Sequence, residues 1–235
     1  MVKNDKNGIT TAQTEVFFLN SLSKNLYIIK RFGNSLFTYD CISCGKPVQG
    51  KCLCESCREK LNPSGNYYNG FACAYYYKGP AKEAMLFYKF KPNNAFCFDT
   101  ICDWLLSAFE KLGEKDFDAV VPVPSFERDE TRLSKLCEKF ALMSDLPFRP
   151  ELIRKIHKTE KQRKLSAKER RLNIAGAFEA EDSVFGKKIL LVDDIFTTGS
   201  TVNECANALY DKGAEKVFII TVLKTVYEKE KPPVS

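Results

Sequence analysis

Ile189-Leu-Leu-Val-Asp193-Asp194-Ile-Phe-Thr197-Thr198-Gly199-Ser200-Thr201 decides the fold of this 235-residue chain. Four apolar residues in a row read as a strand buried on both faces, the form strands take inside a parallel sheet. The run ends in two adjacent carboxylates, and a loop of hydroxyls and one glycine then leads into a helix. Backbone N–H groups at a helix start, approached closely over a glycine, suit a phosphate dianion. Paired carboxylates would repel that phosphate unless they met something else, and the hydroxyls of a sugar joined to it are natural partners. The stretch therefore reads as a sugar phosphate site. No Lys follows the glycine as in a nucleotide-binding P-loop, and the three glycines of a dinucleotide fingerprint are absent.

The flanking sequence supplies the rest of such a sheet. Strands are expected over residues 71–77, 118–124 and 217–223, and helices over about 79–90, 98–112, 128–143 and 201–212. Pro80 stands in the first turn of one helix, and Gly213 closes another. Alternating strands and helices imply an α/β fold with a mostly parallel sheet flanked by helices, whose ligands bind at the carboxyl ends of the strands. Lone Trp104 reads as a core residue.

Upstream, Cys41-Ile-Ser-Cys44 and Cys54-Glu-Ser-Cys57 flank a loop containing Gly45, Pro47 and Gly50. Each Cys-x-x-Cys turn aims two thiolates at one point, and two turns supply the four sulfurs of a structural zinc site. Cys52 competes with Cys54 for one position, and an iron–sulfur cluster is the lesser metal alternative. The other five of the ten cysteines lie singly in apolar stretches and read as core thiols. Residues 15–32 carry an apolar stripe at Phe18, Leu22, Leu26, Ile29 and Phe32, the spacing of an amphipathic helix. The expected organisation is a tail and helix over residues 1–38, a cysteine module over 39–62 and the main domain over 66–228.

Several spaced blocks carry a resemblance. Residues 192–201 resemble the signature of type I phosphoribosyltransferases. A four-cysteine element ahead of such a domain, with Tyr77-Lys-Gly-Pro, Lys89-Phe-Lys91, Val121-Pro-Val-Pro124, Thr159-x-x-Gln162-x-x-Leu165, Arg170-x-x-Asn173 and Ala177-Phe178, is similar to the ComF family of competence-associated proteins. The resemblance implies that Asp193 and Asp194 hold ribose hydroxyls and that Thr197, Thr198, Gly199, Ser200 and Thr201 hold a 5′-phosphate. It also implies 5-phosphoribosyl-1-pyrophosphate as ligand, with Mg2+ bridging pyrophosphate and ribose. One block departs from the family: Arg128-Asp-Glu-Thr-Arg132 puts two acids where the family's loop nears pyrophosphate, which sets transferase turnover in doubt unless Arg132 compensates or Mg2+ bridges.

The chain's net charge of +6 is matched by residues 151–175 alone, where nine basic residues face three acids. This segment has three readings: a loop that closes over pyrophosphate, with Lys161 and Arg170 as contacts; a footprint for single-stranded DNA; or a solvated helix start. The family resemblance implies DNA uptake and a helicase partner for the second. With 44% apolar residues, no run long enough to span a bilayer and no secretory leader, the chain reads as a cytoplasmic globular protein. A basic amphipathic helix near the N-terminus leaves docking at the inner membrane face open.

Overall fold

The computed structural model describes Lys24 and residues 37–65, 70–91, 95–125, 132–157 and 174–226. Apart from Lys24, the amphipathic helix expected over 15–32 lies outside them.

The main sheet has four strands: β3 (Phe71–Tyr76), β4 (Ala119–Pro122), β7 (Lys188–Phe196) and β8 (Lys216–Lys224). They run in the order β3-β8-β7-β4, and every pairing is parallel. Side chains alternate across a strand, so a fully apolar β7 demands cover on both sides. Helices α2 (Gly79–Phe90), α3 (Ala95–Glu110) and α4 (Arg132–Ser144) provide it on one face, where Met85, Ile101, Leu105, Leu136 and Phe140 join Leu190 and Val192 in one core. Helix α5 (Ser200–Asp211) and a small hairpin cover the other face, where Val202, Leu209 and Phe178 join Ile189 and Leu191. The hairpin pairs β5 (Ile153–Lys155) with β6 (Phe178–Ala180), antiparallel.

Three differences from the sequence reading concern the site. β7 runs on to Phe196, because its backbone keeps pairing with β8 through Asp193 opposite Thr221 and Phe196 opposite Lys224 whatever its side chains are. β4 stops earlier, with Pro122 opposite Val192. Asp193 is therefore where β7 outlives its neighbour and a crevice opens. Helix α4, expected from residue 128, begins at Arg132 among the described residues.

Trp104 is a core residue, set edge-on to Tyr75 at 5.1 Å. Asp99 on α3 and Lys139 on α4 form a buried ion pair at 2.6 Å, with the ammonium 4.4 Å from the Phe98 ring centroid. At the end of α3, Lys111 Nζ donates to the carbonyls of Ser64, Cys73 and Ala74 at 3.1, 2.7 and 3.0 Å, which ties the edge of β3 to the helix layer. No helix among the described residues is long and apolar enough to cross a membrane.

Candidate ligand cleft and cysteine cluster

The cysteine module is built on a three-residue hairpin, β1 (Thr38–Asp40) with β2 (Pro47–Gln49), and a single helical turn, α1 (Glu55–Arg58). After Cys44 the chain reverses at Gly45, whose φ of +74° suits a residue without Cβ, and its amide donates to the Cys41 carbonyl at 2.8 Å. The amides of Cys57 and Arg58 converge on the Cys54 carbonyl. These two turns bring the sulfurs of Cys41, Cys44, Cys54 and Cys57 within 4.8 Å of one another. Four sulfurs bound at ~2.3 Å to a tetrahedral ion stand about 3.8 Å apart, so the cluster fits a metal ion. Hydrogen bonding from Ser56 draws the Cys54 thiol down to about 6, whereas burial pushes Cys57 up to about 12.

Cys52 is not part of this cluster. It is fully buried, its thiol meets that of Cys97 on α3, and its amide faces the Thr100 hydroxyl at 3.5 Å. Spacing left Cys52 and Cys54 interchangeable, and burial separates them: Cys52 docks the module on the main domain, as does Tyr39, stacked on Phe96 at 4.1 Å. Cys73, Cys97, Cys102, Cys137 and Cys205 are buried core thiols, as expected.

At the carboxyl end of β7 a cleft of about 410 Å³ is lined by Asp193, Asp194, Thr197, Gly199 and Thr201, with Lys89, Tyr77, Leu86, Phe90, Val123 and Thr225 among its other walls. The Asp194 amide donates to Asp193 Oδ1 at 2.8 Å. Burial, and then the neighbouring Asp194 charge, raise the Asp193 carboxyl to about 7. Lys89, in the last turn of α2, meets Asp194 Oδ2 at 2.6 Å. Beyond the acids, the Thr198 and Ser200 hydroxyls lie 2.8 Å apart, and Gly199 turns with φ of +75° into the N-terminus of α5. A Cβ there would stand 2.7 Å from Phe196 Cζ, so the loop's path needs glycine.

The structure thus brings together Asp193, Asp194, Thr197, Thr198, Gly199, Ser200 and Thr201. Arg128, Lys161 and Arg170 lie outside the described residues, as does most of the basic segment. Its flanks are β5 and β6. Arg154 donates to Glu179 at 2.7 and 3.1 Å and to Glu181 at 3.1 Å, so two acids beyond residue 175 offset part of the segment's charge. Arg132, the other cation of the block that begins at Arg128, donates from Nη1 to the carbonyl of Tyr88, the chain neighbour of Lys89. The residue missed from the site is Lys89. A contact between a helix end and a distant strand leaves no local pattern in the sequence.

A phosphoribosyl transferase domain model matches residues 140–234. Competence protein ComFC of Bacillus subtilis is 29% identical over 219 residues, 89% of this chain and 88% of that protein. Competence protein F of Haemophilus influenzae is 29% identical over 147 residues, 57% of this chain and 64% of that one. DNA utilization protein YhgH of Escherichia coli O157:H7 is 33% identical over 114 residues, 46% of this chain and half of that one. The alignment thus spans most of one relative and about two thirds or half of the others.

Proposed function

The chain belongs to the ComF family, and on that premise we propose that it binds 5-phosphoribosyl-1-pyrophosphate or ribose 5-phosphate in the cleft at the end of β7. The observation that carries this reading is the acid pair followed directly by a hydroxyl and glycine loop at a helix start, where β4 has ended and β7 continues. In this reading the amides and hydroxyls of residues 197–201 hold the 5′-phosphate and the two carboxylates accept from ribose hydroxyls. Each acid has one oxygen engaged within the protein, Asp193 Oδ1 by an amide and Asp194 Oδ2 by Lys89, and offers the other to a hydroxyl. Bound Mg2+ would add charge compensation for a pyrophosphate group, with these same acids as the nearby oxygen donors. Transfer of phosphoribose to an acceptor is the reaction such a site supports. Arg128, Lys161 and Arg170 are assigned to the departing pyrophosphate in that reaction. The four-cysteine cluster is assigned a zinc ion of purely structural role, since four sulfurs leave no open position for substrate.

Titration calorimetry tests the ligand assignment. Phosphoribosyl pyrophosphate with Mg2+ should release heat on wild-type protein, and Asp194→Asn and Thr198→Val should each weaken binding by about tenfold or more. No heat and no thermal protection of the wild type would refute it.

A second reading is favoured by the names of the relatives, two called competence proteins and one a DNA utilization protein, together with the local basic excess. In it the chain is a non-catalytic adaptor in DNA uptake that meets single-stranded DNA through residues 151–175 and a helicase partner through the module. Single-strand binding should then weaken steeply with salt and on charge reversal of Lys161, Arg163 and Lys164. Affinity indifferent to both would dismiss it.

A further inference from the structure

Lys89 is the single cation lining the cleft among the described residues, and it faces two carboxylates. It is not a loose surface lysine. The side chains of Lys89 and Asp194 are 29% and 20% exposed, and their charged atoms stand 2.6 Å apart. The helix end that carries Lys89 is clamped. Tyr88, buried beside it, donates its hydroxyl to the Arg132 carbonyl at 2.7 Å, and Arg132 returns a bond to the Tyr88 carbonyl. These reciprocal bonds fix the last turn of α2 against the first turn of α4, and so fix where the ammonium can reach.

The placement has an electrostatic consequence. A phosphate entering a cleft that holds two carboxylates is repelled, and sites of this kind need a positive charge before the ligand's own charge is tolerable. A divalent ion is one source, and a lysine clamped onto one of the acids is another. Lys89 neutralises Asp194 through Oδ2 while leaving Oδ1 to accept from a hydroxyl, so charge compensation and sugar recognition do not compete for one oxygen.

We propose that Lys89 is the resident cation of the sugar phosphate site, so that ribose 5-phosphate binds without any divalent ion. The inference rests on the sugar phosphate reading above and goes beyond it in naming the residue that makes a metal dispensable for the monophosphate.

The test is calorimetric titration of the full chain with ribose 5-phosphate, in EDTA and in millimolar Mg2+. Wild type should give the same Kd in both media within about twofold. Lys89→Met should weaken binding in EDTA by about tenfold or more and recover in Mg2+, while Lys89→Arg should stay within about threefold of wild type. Thermal unfolding of each variant checks that the fold is kept, and Lys89→Gln, uncharged and of similar length, takes the place of Lys89→Met should that variant not fold. Wild-type binding in Mg2+ but not in EDTA overturns the role of Lys89 and leaves the sugar phosphate reading standing. So does wild-type-like binding of Lys89→Met in EDTA. Wild-type binding in neither medium removes that reading and the inference with it.

Discussion

The Asp194 amide donates to the carboxylate of Asp193 at 2.8 Å, and this bond between chain neighbours does not keep Asp193 ionised. Burial and the adjacent Asp194 charge outweigh it and lift Asp193 to about 7 from an ordinary 3.8. The native state therefore binds a proton, between about pH 4 and 7, that the unfolded chain has released. Stability is greatest below that window and is lost as pH rises through it. Asp193→Asn removes the titration. Its melting temperature should exceed that of wild type at pH 8, and the difference should shrink toward pH 5. The same variant should lose sugar phosphate affinity, the expected trade where a site keeps an unfavourable charge for function. Parallel melting curves across pH would show that Asp193 is not strained.

Gly199 makes the left-handed turn that leads from β7 into α5. Its positive φ costs an L-residue about 1–2 kcal/mol, and the added Cβ would press on the Phe196 ring. Gly199→Ala should destabilise the protein by about 1–3 kcal/mol in urea unfolding and lower phosphate affinity by more than that loss implies, because the ring and the loop amides shift together.

For the cysteine module, elemental analysis of purified protein should find about one zinc per chain. Cys54→Ser should lose it, whereas Cys52→Ser should keep it and show a lower melting temperature from the weakened seat against Cys97 and Thr100. Loss of metal from the Cys52 variant with retention in the Cys54 variant would reverse the assignment.

Asp99 and Lys139 hold α3 against α4 beneath the same face of the sheet. Removing the carboxylate takes a buried ion pair from the Lys139 ammonium, so Asp99→Leu should cost about 3–5 kcal/mol. Asp99→Leu combined with Lys139→Met should cost much less than either change alone, since apolar pairs of similar volume replace such ion pairs well. Urea unfolding of the two single variants and the double variant measures this, and additive losses would contradict it.

Much of this was legible in the chain. The apolar run from Ile189 to Val192 announces a strand with both faces covered, and the carboxylates and hydroxyls after it include residues that line the cleft. The remainder escaped for physical reasons. β7 continues to Phe196 through backbone bonds, which a hydrophobic pattern does not report. β1, β2, β5 and β6 have three residues each, too few for an alternation to register. Cys52 and Cys54 differ in burial, which spacing does not encode. Lys89 reaches Asp194 through a contact between residues more than a hundred positions apart, which no local pattern reports. Nothing near Arg132 in the chain signals that it clasps the Tyr88 carbonyl.

The most direct test of the central claim is a crystal structure with ribose 5-phosphate bound. The phosphate should lie within hydrogen-bond distance of the amides and hydroxyls of residues 197–201, with ribose hydroxyls on Asp193 and Asp194. A ligand held instead by the basic residues between β5 and β6, with the cleft at β7 empty, would contradict it.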